Sequence, residues 1–185
     1  MVLGHVGRWT EADYFALGET ADRIELVDGC LLVTPVEDKP HQWTSGALVS
    51  ALDEPAGAAA MKAYRTVNVR LGAGRIVIPD LVVADTDADG LVVEAGEVAL
   101  VGEVISSGDG VLERLLKPDL FAAAGIPWYL LVELGLSGSV KLQLRRLVRF
   151  GGCRYVEHLT ARDGETLSAD GPFAFDLDTG SLAGW

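Results

Sequence analysis

The 185-residue chain has the length of one domain and carries a formal net charge of −12, with a pI near 4.5. Its 49% hydrophobic and 23% charged residues are typical of globular proteins, which excludes disordered and fibrous classes. The apolar runs are too short to cross a bilayer and no signal-peptide pattern is present, so we expect a single cytoplasmic domain over residues 1–185. The acidity argues against broad electrostatic attraction to nucleic acid.

A short helix and a hairpin are predicted in the first part of the chain. The run that starts at Thr10 places an acid three positions after a capping residue, which indicates a helix start. The dipeptide Asp28-Gly29 supplies positive φ angles for a tight reversal between residues 23–27 and 31–34. This pattern predicts a β-hairpin with Glu25 on its first strand.

A second helix and a second hairpin are predicted next. Over residues 41–52 the apolar positions fall on one helical stripe, and Pro55 is expected to end the element. Residues 63–71 alternate as in a strand, and a glycine-containing turn leads into an apolar, buried strand over residues 75–84. Asp80 then lies inside that second strand.

A strand–helix–strand order follows. Residues 99–105 and 128–133 have the apolar character of buried strands, and the apolar residues from Val111 to Phe121 indicate a helix that ends at Gly125. That order predicts parallel neighbours, whereas the hairpins predict antiparallel pairs. The fold class is therefore α/β of the mixed α+β kind, with a central mixed β-sheet flanked by helices and additional β-hairpins.

The last part of the chain predicts a C-terminal β-hairpin extension. Its strands cover residues 140–150 and 155–159, and the tail adds little beyond an edge strand near residues 173–177. Cys30 and Cys153 stand far apart with no metal-ligand spacing, so we expect them to be core thiols.

The last hairpin also contains a basic stretch. Its members either face a phosphate backbone or form the solvated side of a β-ribbon, and their alternation favours the ribbon. Exposed apolar edges in the same hairpin would support a homodimer. The basic residues are Arg145, Arg146, Arg149 and Arg154.

Two acids interrupt segments that otherwise look buried. Asp80 follows a proline in one apolar segment, and Glu103 lies in the next. Burying a carboxylate is costly unless a positive group meets it, and a divalent cation such as Mg²⁺ would do so. Lys117 could reach the same site to orient water or stabilise a phosphate, and this set suffices for phosphodiester hydrolysis. The alternative is that Asp80 ends at a strand mouth, Glu103 pairs with an arginine and Lys117 is solvated.

These residues stand in an order that resembles the Uma-two family of restriction-endonuclease-like proteins, built on the PD-(D/E)XK nuclease core. The resemblance covers most of residues 8–133, with a core over that range and the extension over about 138–185. The matching stretches are Ile24–Gly29, His41-Gln42, Pro79–Val83, Glu103–Ser106, and Lys117 eight positions before Gly125–Tyr129.

The resemblance implies a role for each site residue. Asp80 and Glu103 would be metal ligands, and Glu25 an additional acid at the metal site. Lys117 would be a displaced catalytic lysine, because its usual position holds Ile105. His41 would hydrogen-bond a phosphate or a carboxylate, with a capping or core histidine as the alternative. The implied cofactor is Mg²⁺, with Mn²⁺ as a substitute, and the implied partner is double-stranded DNA.

Two hypotheses therefore stand. One is a magnesium-dependent endonuclease; the other is a catalytically inactive nuclease fold that acts as a binding or interaction module. The second is motivated by the net charge of −12, by Ile105, and by Pro118, which disfavours helical geometry at Lys117. Asp109, in the loop after Glu103, departs from the family pattern and adds negative charge near the proposed substrate. A small-molecule enzyme is disfavoured because no glycine-rich phosphate loop and no Ser or Cys nucleophile motif is present.

Overall fold

A computed structural model of the chain describes residues 5–34, 37–87, 89–106 and 115–185. The fold is α+β and its two larger sheets are both mixed, which confirms the predicted fold class. No helix within these ranges is long and apolar enough to cross a membrane. The helices are α1 (Glu11–Ala16), α2 (Lys39–Ala58), α3 (Lys117–Ala124) and α4 (Thr179–Leu182), with a 3₁₀ turn at Ala95–Glu97.

The strands divide between a five-stranded sheet, a six-stranded sheet and a two-stranded sheet. In chain order they are β1 (Arg23–Val27), β2 (Cys30–Thr34), β3 (Lys62–Tyr64), β4 (Asn68–Gly72), β5 (Arg75–Val77), β6 (Leu81–Ala84), β7 (Val92–Glu94), β8 (Val98–Ser106), β9 (Trp128–Leu134), β10 (Val140–Arg149), β11 (Cys153–Ala161), β12 (Thr166–Ala169) and β13 (Phe175–Asp178). The spatial orders are β2-β1-β5-β4-β7, β11-β10-β9-β8-β6-β3 and β12-β13.

Local sequence signals in the first part of the chain are confirmed. The Thr10 hydroxyl accepts the backbone N–H of Asp13, and the Asp13 carboxylate accepts the N–H of Thr10, so a reciprocal capping box begins α1. Asp28 and Gly29 have φ angles of 51° and 83°, the left-handed conformation that joins β1 to β2 as a hairpin.

The second helix is longer than predicted. Asp38 caps it, and it continues through Pro55 to Ala58, so the prediction that Pro55 ends the helix is wrong. Its buried stripe of Leu48, Leu52 and Ala56 packs into the core on both sides of the proline. This burial offsets the hydrogen bond that proline removes near the last turn.

Each of the two strands predicted over residues 63–71 and 75–84 is divided between two sheets. The first breaks between β3 and β4, where Thr66 has a φ angle of 52°. The second breaks between β5 and β6, where Pro79 has no N–H to donate to a ladder. Asp80 therefore lies directly before β6, not inside a strand, which corrects the predicted position.

The strand–helix–strand unit is confirmed, because β8 and β9 are parallel neighbours and α3 ends at Gly125, whose φ angle is 83°. The predicted helical residues Val111 and Leu112 lie outside the described ranges, as does Asp109. Pro118 lies in the first turn of α3, a position at which a missing N–H costs no helical hydrogen bond. Residues 115–116 form a π-helical turn and α-helical geometry begins at Lys117, so the helical geometry changes directly before Pro118, as predicted.

The C-terminal tail contributes more than the edge strand that was predicted. It forms its own antiparallel pair, β12 with β13, and ends in α4. Leu167, Phe175, Leu177 and Leu182 are buried in the main core, because apolar residues alternate inward along both strands.

The predicted core location of the two cysteines is wrong. Cys30, at the hairpin end of β2, and Cys153, at the start of β11, are both free and exposed. Each lies beside a tight turn at the end of a strand, where its side chain remains exposed.

Two apolar layers cover the six-stranded sheet. One face packs against α2 and the C-terminal tail. The other face packs against α3 and residues of the five-stranded sheet. Since α1 covers a separate apolar cluster with Ile24, Leu26 and Ile76, the opposite face of β1 points towards α3, and the charged site lies there.

Candidate active site

Lys117 joins two acidic residues that come from different sheets. Its Nζ atom lies 3.1 Å from Oε1 of Glu25 and 3.0 Å from Oε1 of Glu103. All three residues are buried, with exposed fractions of 3%, 2% and 0% for Lys117, Glu25 and Glu103. The hypothesis that Lys117 is a solvated helix residue is therefore wrong.

Strand alternation positions Glu25. Ile24 and Leu26 turn towards α1, so the side chain between them points the other way, into the site. Its carboxylate accepts the backbone N–H of Ile78 at 2.7 Å. This contact fixes Glu25 against the segment that leads to Asp80.

Glu103 is the least compensated carboxylate of the site. It lies within β8 at zero exposure, and neither of its oxygens has a hydrogen-bond partner among the described residues. Lys117 approaches within 3.0 Å, but the angle of approach does not meet hydrogen-bond geometry, so we regard this contact as an ion pair only. Burial raises the pKa of Glu103 well above its ordinary value, against the opposing charge of Lys117.

Asp80, in contrast, is contacted by three donors. Its Oδ1 accepts Nη2 of Arg23 at 2.6 Å, and its Oδ2 accepts the backbone N–H of Val104 at 2.8 Å and lies 3.0 Å from Nε2 of His41. Burial alone would raise the pKa of Asp80, but the His41 hydrogen bond and the charge of Arg23 hold it below its ordinary range. Asp80 is therefore an anion at neutral pH.

His41 is held in the first turn of α2. Its backbone N–H donates to the capping carboxylate of Asp38, and its Nδ1 lies 3.4 Å from the Ser45 hydroxyl. Burial would lower the pKa of the imidazole, but the hydrogen bond and charge of Asp80 outweigh burial and raise it. His41 contacts the carboxylate of Asp80, which is one of its two predicted partners. It also lines a cavity, where a phosphate, the other predicted partner, has access to it.

The charge of Lys117 is retained in the site. Burial would lower the pKa of its amine, yet the charges of Glu103 and Glu25 outweigh burial and raise it above the ordinary value. Lys117 therefore presents an ammonium group and not a neutral base.

All five predicted site residues meet in one region, and the structure adds Arg23. Its guanidinium contacts Asp80, and the side chain is 12% exposed. Arg23 stands two residues before Glu25 on β1, so period-two alternation places the two side chains on one face of the strand. That alternation was the sequence signal that could have identified Arg23.

The described residues do not include a group of three or more His, Cys, Asp or Glu side chains arranged to hold a metal ion. A site for Mg²⁺ does not require one, since this ion is commonly held by one or two carboxylates together with water and phosphate oxygens. The unpartnered, buried oxygens of Glu103 are suitable hard donors. Register places Asp80 next to Glu103, because Leu81 pairs with Gly102 on the adjacent strand. The donor set therefore fits a magnesium ion.

Comparisons with known proteins agree with this fold. The family model Uma2, described as "Putative restriction endonuclease", matches residues 11–180. A crystal structure from Anabaena variabilis, described as "a putative nuclease belonging to DUF820", superimposes with a TM-score of 0.67 at 16% sequence identity. That match covers 96% of this chain and 98% of the other. Among proteins with curated descriptions, none matches this chain in sequence.

Proposed function

The chain belongs to the Uma2 family, and from this we propose that it is a metal-dependent endonuclease that hydrolyses phosphodiester bonds of duplex DNA. The observation that carries the proposal is Glu103, a fully buried carboxylate without a hydrogen-bond partner in the described chain. A buried carboxylate whose oxygens accept no hydrogen bond is costly to keep in a fold and has a natural use as a ligand.

Asp80 and Glu103 would hold the magnesium ion, with Glu25 as the further acid beside them. A bound magnesium ion supplies a Lewis acid that favours deprotonation of water and neutralises phosphate charge. In the hydrolysis, the oxygen of water forms a bond to phosphorus and water gives up a proton to solvent, while the bond from phosphorus to the leaving oxygen breaks and that oxygen takes up a proton from solvent.

Lys117 would stabilise the negative charge that develops on the phosphate oxygens. Its raised pKa supports this role and disfavours that of general base, because a lysine can act as a base only when its amine is unprotonated. Glu25 and Glu103 hold the ammonium group between them at 3.1 Å and 3.0 Å, so the charge is positioned before a substrate arrives.

Arg23 and His41 act through Asp80 as positioning residues. Together with the N–H of Val104 they fix both carboxylate oxygens of Asp80. A carboxylate held in this way presents one orientation only, which favours a preorganised ligand.

We also propose a homodimer, since an endonuclease that cuts both strands of a duplex uses two copies of the site. The apolar side chains of Phe150 and Val156 are exposed at the last hairpin and offer a surface for a second copy. The basic stretch of the same hairpin is partly engaged within the chain, as Arg145 and Arg146 stack over Tyr129 and Trp128.

A second candidate function is an inactive nuclease fold used as an interaction module. The observation that favours it is that cations of the chain already compensate the acids, Arg23 at Asp80 and Lys117 at Glu25 and Glu103. In such a protein the charged cluster would be structural, and no metal ion would be needed.

A plasmid-nicking assay with Mg²⁺ or EDTA separates the two functions. We expect wild type to nick supercoiled DNA only with metal, and Glu103→Gln to lose roughly a hundredfold or more in rate. The matched control is Glu157→Gln, an exposed carboxylate on β11 that should nick as wild type does.

Absence of nicking by folded wild type with either Mg²⁺ or Mn²⁺ would support the interaction module. Nicking that survives in Glu103→Gln at the wild-type rate would show that the charged cluster is not the reaction site.

A further inference from the structure

A cavity of about 280 Å³ is lined in part by Asp80 and Arg23, and Lys117 is not among its lining residues. Helix α2 supplies one wall, with His41, Gln42 and Ser45. The loop between β3 and β4 supplies another, with Arg65 and Thr66. The loop between β3 and β4, where the predicted strand is interrupted, therefore forms part of the cavity wall.

Arg65 is a cation without a partner at the edge of the cavity. It is exposed, and within the ranges that the structure describes it has no ion pair and no hydrogen bond. A Cβ atom at Gly46 would lie 3.6 Å from Nη1 of Arg65, so the guanidinium group rests close to α2. The next residue, Thr66, has a φ angle of 52°, which is uncommon for a β-branched residue.

Arg23 provides a second guanidinium group in the same cavity. It is bound to Asp80 at 2.6 Å and lies 3.9 Å from the carboxylate of Glu37, which also lines the cavity. Guanidinium groups bind phosphate oxygens through paired donors, and hydroxyl and amide groups add neutral donors. The cavity thus combines two arginines with the polar side chains of Gln42, Ser45 and Thr66.

This cavity connects solvent with Asp80. Glu25, Glu103 and Lys117 are buried and do not line it, whereas Asp80 does. A ligand that enters here meets Arg65 first and reaches Asp80 and Arg23 at the inner end.

We infer that the cavity binds a backbone phosphate of duplex DNA, with Arg65 and Arg23 as its charged contacts. The inference rests on the proposed nuclease function and adds to it a substrate contact outside the acid cluster. Arg23 is already paired with Asp80 and lies near Glu37, so among the described cavity residues Arg65 is the cation available to attract the strand.

The experiment measures binding of a short, fluorescently labelled duplex by anisotropy in EDTA, over a series of salt concentrations. We expect Arg65→Gln to weaken binding roughly tenfold at low salt and to reduce the slope of log K against log salt by about 1. The matched control Arg154→Gln, exposed on β11, should bind as wild type does. Inorganic phosphate is titrated in parallel.

Unchanged affinity and slope in Arg65→Gln would overturn the inference, and so would absent duplex binding by wild type. A loss in Arg154→Gln instead of Arg65→Gln would overturn it by assigning DNA to the last hairpin. Binding of inorganic phosphate without duplex would likewise overturn it in favour of a small anion. Because EDTA removes metal, a protein that binds through Arg65 but never nicks plasmid leaves the phosphate site standing and refutes only the proposed hydrolysis.

Discussion

Two ion pairs of this protein, Lys117 with Glu103 and Arg75 with Asp28, have similar lengths and opposite surroundings. The first has an N–O distance of 3.0 Å and side chains that are 4% and 0% exposed. The second has distances of 2.7 Å and 2.9 Å and side chains that are 37% and 52% exposed. Distance alone therefore does not distinguish the pair in the site from the pair beside a surface hairpin.

Burial makes the difference between the two regions. Water and salt screen the exposed pair, so its removal changes little. The buried pair has lost its hydration, and each partner depends on the other for compensation. Because a buried ion pair adds little net stability over an apolar core, we interpret this cluster as a functional site and not as a stabilising feature.

The largest effect on the free energy of unfolding is expected for Lys117→Met. This change leaves Glu25 and Glu103 buried without their cation and should lower the free energy of unfolding by about 3–5 kcal/mol. Urea unfolding measures it, with the exposed Lys62→Met as control, for which we expect a change within about 0.5 kcal/mol. Combining Lys117→Met with Glu103→Gln should restore part of the lost free energy of unfolding. Equal stability of Lys117→Met and Lys62→Met would contradict the account.

A smaller effect is expected from pH at His41. Its pKa is raised in the folded protein by the hydrogen bond and charge of Asp80, which outweigh burial, so the folded state holds this proton more tightly than the unfolded chain. The stability from this contact is fully present below about pH 6.5, the unfolded value, and is lost as pH rises through the raised folded pKa.

Urea unfolding across this pH window tests the His41 prediction. The free energy of unfolding of wild type should fall with rising pH relative to that of His41→Gln, which lacks the titrating group. Parallel pH profiles of the two proteins would show that His41 is not coupled to Asp80 in this way.

The smallest effect is expected at the exposed pair. Arg75→Gln removes the cation beside Asp28, and solvent replaces it at once, so the melting temperature should remain nearly that of wild type. Differential scanning calorimetry measures this directly. A destabilisation as large as that of Lys117→Met would contradict the proposed difference between the buried and the exposed ion pair.

Local chemistry made part of the fold predictable. The capping box at Thr10, the Asp28-Gly29 reversal and the apolar strand around Glu103 each depend on neighbours in sequence. Residue chemistry indicated Asp80, Glu103 and Lys117, family resemblance added Glu25 and His41, and the structure brings all five together.

Long-range packing decided the features that the sequence did not predict. Strand periodicity continues through Thr66, so nothing local indicates that the chain changes sheets there. Pro79 was a local signal for the second break, but the apolar pattern around it favoured a continuous strand. Pro55 is a local signal for a helix end, but the burial of Ala56 overrides it. The cavity with Arg65 was not predictable because its walls come from segments that meet only after both sheets form.

Calorimetric titration of Mg²⁺ and Mn²⁺ tests whether the buried acids form a metal site. The proteins titrated are wild type and Glu103→Gln, with Glu157→Gln as control. We predict saturable binding to wild type and to the control, and a loss of at least about tenfold in affinity for Glu103→Gln. Absence of binding to wild type, or equal binding to Glu103→Gln, would contradict the claim and leave the acids as a purely structural cluster.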